Sequence, residues 1–223
     1  MSLKPALILF DFDGVIVDSE TIANQVLADV LTELGMPTTV DDSFDHYMGR
    51  HWLDCLAAIE ARWGTAPPDL REQVRAVSRP RMEAELQMVP GARDFIEGLG
   101  GMPRAIASSS QLEWISSRLD QFGFRHHFGD NLFSASVHVS RGKPHPDIYL
   151  HAAASLGGHP EQALVIEDSP LGVRAGVAAG MTVIGLCAGS HIRPGHADRL
   201  RDAGARQVVT SYGELSDLLA AAA

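Results

Sequence analysis

The sequence predicts an α/β protein: a doubly wound parallel sheet carrying an inserted α-helical domain. Three observations predict it. Short apolar runs of strand length alternate with amphipathic stretches through most of the chain, and a block at 18–89 has helical patterning without a convincing strand. In addition, 223 residues with 45% hydrophobic content can bury a sizeable core.

The apolar runs lie at 6–10, 104–107, 131–134, 163–166, 182–186 and 207–209. Continuous apolar runs bounded by Asp, Ser or Gly suit strands buried on both faces. Amphipathic helices are expected between them at 92–99, 111–122, 147–156, 171–179 and 194–203, with a closing helix at 213–222. Strands that alternate with helices in this way form a parallel sheet.

The inserted block is broken at Gly35-Met36-Pro37, at Met48-Gly49-Arg50 and from Gly64 to Pro68. Leu27, Val30, Leu31 and Leu34 recur at helical spacing, as do Leu53, Leu56 and Ile59, which predicts the core of a small bundle. The block enters after the first strand and returns at Val89-Pro90-Gly91. The expected domains are therefore 1–17 with 90–223, and 18–89, and their two short crossings form a hinge.

A formal charge of −10 argues against a general nucleic-acid or anionic-membrane surface, so an anionic substrate needs local cations. Cys55 and Cys187 lie far apart, outside any C-x-x-C or metal spacing, and are expected to be buried small residues. The start, MSLKPALILF, has too short an apolar run for a signal peptide, and no run approaches membrane-spanning length. The expected setting is cytoplasmic, with no nucleic acid, membrane or protein partner.

In an open parallel sheet, ligands collect beyond the carboxyl ends of the strands. In "LILFDFDGVIVDSE", Asp11 and Asp13 follow the first apolar run one residue apart. Side chains at i and i+2 share a face, so the two carboxylates can converge, and a cation between them would relieve their repulsion. The plainer alternative is a turn after a buried strand. Ser108, Ser109 and Ser110 of "ASSSQ" follow the second run, Lys143 of "RGKPHPDIY" the third, and Glu167 and Asp168 of "IEDSP" the fourth.

Each group suits phosphoryl transfer. A carboxylate can attack phosphorus and a second can shuttle the leaving group's proton. Hydroxyls and amides at a helix start hold phosphate oxygens, a lysine neutralises charge, and "IEDSP" offers oxygen ligands to a hard cation such as Mg²⁺. Taken singly, the serines could be helix caps, Lys143 a solvated lysine, and Asp168 or Ser169 a cap.

The strings "DFDGVIVDS", "IASSS", "GKPHPDIY" and "IEDSPLGVRAG" together resemble the four motifs of the haloacid dehalogenase-like hydrolase superfamily, in order and across the whole chain. "DGVIVDSE" and "GKPHPDIY" resemble its branch with a helical cap, which includes sugar-phosphate phosphatases, phosphoglycolate phosphatase and β-phosphoglucomutase. The resemblance implies that Asp11 is the nucleophile, Asp13 the acid/base, and Ser108 and Lys143 the phosphate-stabilising groups, with Ser109 a substrate contact. It implies Mg²⁺ on Asp168, Asp11 and the backbone carbonyl of Asp13, with Glu167 either a ligand or a residue that buttresses one. The segment "YMGRHW" at 47–52 resembles a cap segment that faces the core site in relatives. Gly49, Arg50 and His51 are therefore candidate substrate contacts, while Trp52 is expected in the bundle core.

Departures narrow the activity. Dehalogenases of the superfamily lack the second aspartate of the first motif, which is present here as Asp13. No lysine occurs between Lys4 and Lys143, which closes the cap-lysine Schiff-base route of phosphonoacetaldehyde hydrolase. The expected activity is Mg²⁺-dependent hydrolysis of a small phosphorylated metabolite, a sugar or sugar-acid phosphate, through an aspartyl phosphate. A phosphosugar mutase would share the core motifs, but Ala23 and Trp52 fall where β-phosphoglucomutase has a hinge histidine and, at or near the second position, a cap arginine; Arg50, two positions away, could substitute for the arginine, but nothing nearby replaces the histidine. A non-catalytic binding module would be expected to lack a nucleophile, acid or metal ligand, and none is missing.

Overall fold

The computed structural model describes residues 4–48 and 52–221. The strands are β1 (Leu7–Phe10), β2 (Arg104–Ser108), β3 (Leu132–Ser134), β4 (Ala163–Glu167), β5 (Thr182–Leu186) and β6 (Gln207–Val209). They form one sheet in the order β3-β2-β1-β4-β5-β6, and every pairing is parallel. The helices are α1 (Glu20–Glu33), α2 (Val40–His46), α3 (Trp52–Trp63), α4 (Leu70–Glu85), α5 (Ala92–Gly98), α6 (Leu112–Gln121), α7 (Ala135–His138), α8 (Asp147–Ser155), α9 (Pro170–Ala178), α10 (His196–Asp202) and α11 (Tyr212–Ala220).

The α/β alternation expected from the sequence is the architecture observed. Two strands run one residue further than their apolar runs, because Ser108 and Glu167 occupy the last sheet positions of β2 and β4. Polar residues at the end of a buried strand are invisible to a hydrophobicity reading, yet they are the positions from which a sheet presents chemistry. The short helix α7 was not anticipated.

Alternate residues of each strand face opposite sides of the sheet. Leu7, Leu9, Ala105, Ala107, Val165 and Val183 share a core with Tyr149 and Ala152 of α8 and Val173 and Ala175 of α9. On the other side, Phe10 meets Phe95 and Phe128 edge-on at 6.2 and 6.0 Å, and Phe95 packs on Tyr212 at 5.1 Å. The fully buried Tyr212 hydroxyl donates to the Val15 carbonyl at 2.8 Å, tying α11 to the turn after β1.

The chain divides into two compact units, residues up to Val17 with Met88 onward, and Asp18–Gln87. The return crossing lies two residues before the expected one. Met88 bridges Val17, and the Val89 amide donates to Ile16 at 2.9 Å, so both residues belong to the sheet unit.

The Asp18–Gln87 unit packs α1–α4 around Val26, Leu27, Val30, Leu31, Met36, Tyr47, Cys55, Ile59 and Leu70, with Trp52 and Leu56 partly buried against them. Two residues expected in this core lie outside it. Leu53 is 77% exposed because α3 turns Cys55 and Ile59 inward, two and six positions on, which leaves Leu53 on the opposite side. Leu34 is the C-cap of α1 and is exposed. Cys55 is buried as expected, whereas Cys187 is only half-buried, its thiol pushed up to about 11 by burial. Among the described residues, no helix is long and apolar enough to cross a membrane.

Tyr212→Phe removes one hydroxyl and leaves the Val15 carbonyl without that donor. It is expected to destabilise the sheet unit by about 1–2 kcal/mol, read as a lowered urea midpoint at unchanged slope.

Candidate active site

The strand order reverses about β1, with later strands added first on one side and then on the other. Ligands bind beyond the carboxyl ends of the strands at such a point. Asp11 follows β1 directly, and its amide donates to the Ile166 carbonyl of β4 at 3.0 Å, which levels Asp11 with Glu167 and Asp168.

Lys143 closes the space between them. Its Nζ lies 2.8 Å from Asp11 Oδ1, 2.7 Å from Glu167 Oε1 and 4.8 Å from the centre of the Tyr149 ring. The side chain is 5% exposed, so this is not a solvated lysine. Burial alone would lower the Lys143 pKa, but Asp11 and Glu167 outweigh it and hold the ammonium well above the usual lysine range. Burial pushes the Tyr149 hydroxyl well above its ordinary value, aided by Glu167, so it stays protonated and donates to Glu167 Oε1 at 2.9 Å.

Glu167 is engaged on both oxygens. Oε1 accepts from Lys143 and Tyr149, while Oε2 accepts from the Ser169 amide and hydroxyl, each at 2.9 Å. Ser169 is also the N-cap of α9, accepting from the Gly172 amide at 3.1 Å. Capping thus falls to Ser169 and leaves the Asp168 side chain for the site. A Cβ at Gly172 would lie 1.6 Å from Glu167 Oε1, so the glycine of "SPLG" makes room for this carboxylate.

Asp168 is held from the other side. Its carbonyl accepts from His196 Nε2 at 2.6 Å; the ring is neutral, because Nδ1 faces an Arg199 donor at 3.1 Å and burial lowers the His196 pKa. His191 Nε2 lies 2.9 Å from Asp168 Oδ2. Gly14 has φ +78°, and a Cβ there would stand 2.0 Å from the same oxygen. The glycine of D-x-D-G therefore serves both a left-handed turn and the close approach of Asp168.

The carboxylates of Asp11, Glu167 and Asp168 offer oxygens within 4.8 Å of one another, all buried. Burial pushes both the Asp11 and Asp168 carboxyls well above the usual carboxylate range. Neighbouring carboxylates add to the rise, and Lys143 opposes it. One ammonium cannot balance three buried carboxylates, and an all-oxygen donor set suits a hard divalent cation, so these residues fit a metal ion.

The Asp13 carboxylate is not part of this cluster. Its Oδ2 accepts from Ser110 Oγ at 2.5 Å and its Oδ1 from the Trp114 indole at 3.0 Å. Ser108 is buried and its Oγ accepts from the Ser110 amide at 3.0 Å, while Ser109 is exposed. The cap of α6 is Gln111, without a side-chain bond, so the serines do not serve as its cap. Gly49, Arg50 and His51 lie outside the described residues.

The model of the haloacid dehalogenase-like hydrolase family matches residues 8–186, from β1 to the end of β5. The chain belongs to this family. The hydrolase is 26% identical to 6-phosphogluconate phosphatase of Escherichia coli over 84% of this chain and 85% of that protein. It is 30% identical to hexitol phosphatase B of the same species over 79% and 81%. A haloacid dehalogenase-like protein of unknown function from Agrobacterium tumefaciens superposes with a TM-score of 0.89 at 37% identity, covering 97% of this chain and 98% of that one.

Several groups at the site of this hydrolase escaped the sequence reading. Tyr149 stood inside the quoted "PHPDIY" but reads as a core aromatic at helical spacing. Ser134, whose Oγ donates to the Ser110 carbonyl at 2.6 Å, reads as a strand end. Trp114, His191 and His196 reach the site from helices and loops whose placement depends on the sheet order.

A ligand role for Asp168 has a direct test. Added MgCl₂ is expected to raise the wild-type melting temperature, with stabilisation of about 3 kcal/mol at a hundredfold excess over Kd. Asp168→Asn is expected to lose most of that shift. Its metal-free melting temperature is expected to equal or exceed the wild type's, because one of three mutually repelling carboxylates becomes neutral. An undiminished Mg²⁺ shift in this variant would remove Asp168 from the ligand set.

Proposed function

We propose that this hydrolase is a Mg²⁺-dependent phosphoric monoester hydrolase that acts on a sugar or sugar-acid phosphate through an aspartyl phosphate on Asp11. The observation that carries this reading is Asp11 at the end of β1, bonded to a buried lysine among buried carboxylates. The relatives named for 6-phosphogluconate and hexitol phosphatase activity support the substrate class. A cytoplasmic setting is part of the proposal.

In this mechanism a carboxylate oxygen of Asp11 forms a bond to phosphorus as the bond from phosphorus to the leaving oxygen breaks. Asp13 gives that oxygen its proton. Asp13, now a carboxylate, takes a proton from water; the water oxygen bonds phosphorus, the Asp11–phosphorus bond breaks, and inorganic phosphate leaves. Lys143 orients Asp11 through Oδ1. Ser108, which accepts from the Ser110 amide and keeps its own O–H as a donor, is assigned to a phosphate oxygen. Asp11, Asp168 and the Asp13 carbonyl would hold the Mg²⁺, which when bound supplies charge stabilisation for the transferring phosphoryl group. Glu167, with both oxygens engaged by Lys143, Tyr149 and Ser169, is assigned to holding Lys143 and the turn into α9 rather than to the metal. Gly49, Arg50 and His51 are assigned to substrate contact on sequence grounds.

Hydrolysis is favoured over phosphosugar transfer because Ala23 and Trp52 stand where the mutase would need a histidine and, at or near the second position, an arginine. Asp11→Asn is expected to lower hydrolysis of para-nitrophenyl phosphate by about 10³-fold or more while the melting curve stays cooperative. Wild-type turnover should fall to background when Mg²⁺ is removed. Appreciable activity in a folded Asp11→Asn protein would eliminate the covalent route. With β-glucose 1-phosphate and a bisphosphate primer, free phosphate is expected to exceed glucose 6-phosphate, and the reverse ratio would make the enzyme a mutase.

A further inference from the structure

We propose that Trp114 is a positioning residue for Asp13: its indole N–H fixes one carboxylate oxygen as a permanent acceptor and so selects the other as the oxygen that exchanges a proton with the leaving group. This inference rests on the acid/base role proposed for Asp13.

The geometry is specific. Trp114 Nε1 lies 3.0 Å from Asp13 Oδ1, across 101 residues of sequence, and Ser110 Oγ lies 2.5 Å from Oδ2. An indole N–H can only donate, whereas a serine hydroxyl can donate or accept. Oδ1 therefore remains an acceptor whichever form Asp13 takes. Oδ2 can carry a proton, because the Ser110 hydroxyl can reverse its role from donor to acceptor. When the acid acts, the Oδ2–H bond breaks and the leaving oxygen's O–H bond forms. That oxygen's bond to phosphorus breaks as Asp11 bonds phosphorus.

Both partners are themselves immobilised. The Ser110 amide donates to Ser108 Oγ at 3.0 Å and its carbonyl accepts from Ser134 Oγ at 2.6 Å, tying it to the ends of β2 and β3. Trp114 stands in the first turn of α6. One turn on, Arg118 places its guanidinium carbon 5.0 Å from the centre of the indole ring, which restrains the ring by a cation–π contact. Hydrogen bonds to two anchored residues, one on each oxygen, hold the carboxyl in one orientation in either protonation state, and proton transfer in the transition state depends on orientation.

The test compares phenyl phosphate with para-nitrophenyl phosphate, which are alike in shape but differ in how much the leaving oxygen needs a proton. Loss of a correctly oriented acid lowers kcat/KM for phenyl phosphate and spares para-nitrophenyl phosphate. Trp114→Phe, which keeps a ring and deletes the donor, is expected to raise the para-nitrophenyl to phenyl ratio of kcat/KM by about tenfold. Ser110→Ala, a smaller change on a loop residue, is expected to skew the ratio in the same direction and serves if Trp114→Phe folds poorly. Parallel losses on both substrates, or an unchanged ratio, in whichever of these variants folds overturns the inference. Asp13→Asn separates it from the underlying reading. A skewed ratio in Asp13→Asn with none in Trp114→Phe overturns the role of Trp114 alone. An unskewed ratio in Asp13→Asn overturns the acid/base assignment itself, and the inference with it.

Discussion

The buried ammonium of Lys143, bonded to Asp11 and Glu167, is the interaction on which the rest of the site depends. Carboxylates at the ends of adjacent parallel strands are forced close by the strand spacing, and burying them without a counter-charge would cost several kcal/mol per ion. Lys143 offsets part of that charge. Its own placement requires the loop after β3 to reach β1 and β4, and requires Tyr149 from α8 to satisfy Glu167 beside it. Because one lysine cannot neutralise three carboxylates, the same arrangement that permits burial leaves a place suited to a divalent cation.

This constraint explains a division of labour among the acidic residues. Glu167, at 0% exposure and with both oxygens bonded, fixes Lys143 on one side and the start of α9 on the other. Asp168, one residue further, is turned toward Gly14 and His191. Asp13, two residues from Asp11, is bonded to Ser110 and Trp114. Four carboxylates in two short strings thus have four environments. The difference arises from which neighbouring strand or helix supplies the partner.

The sheet was legible in the sequence because a strand buried on both faces is apolar at most of its positions, and five runs of that kind stand out between Asp, Ser and Gly boundaries. The short edge strand β6, with exposed Gln207, is the weakest of the six and still shows its two valines. The bundle was legible as helix but not residue by residue. Apolar spacing identifies α3, yet Leu53 and Ile59 differ in exposure by most of a residue's surface, because packing decides which way the helix is rotated. The metal-capable carboxylates and Lys143 were legible because they follow strand ends within short, distinctive strings. Tyr149, Trp114, His191 and His196 were not, since an aromatic or histidine on a helix or loop carries no local mark of what it faces.

The sequence by itself determined the alternation of strands and helices, the inserted helical unit, the family, and the chemical types gathered at the strand ends. These follow from local hydrophobic period, glycine and proline punctuation, and motifs that are contiguous in the chain. Only the tertiary structure decided which carboxylate meets Lys143, why Gly14 and Gly172 have to be glycine, and that Asp13 is held by an indole. All but the Gly172–Glu167 approach rest on contacts between residues 24 to 154 positions apart, whose directions are set by the sheet order and by the packing of helices on its two faces. A one-dimensional pattern specifies which groups are available, and three-dimensional closure specifies their partners.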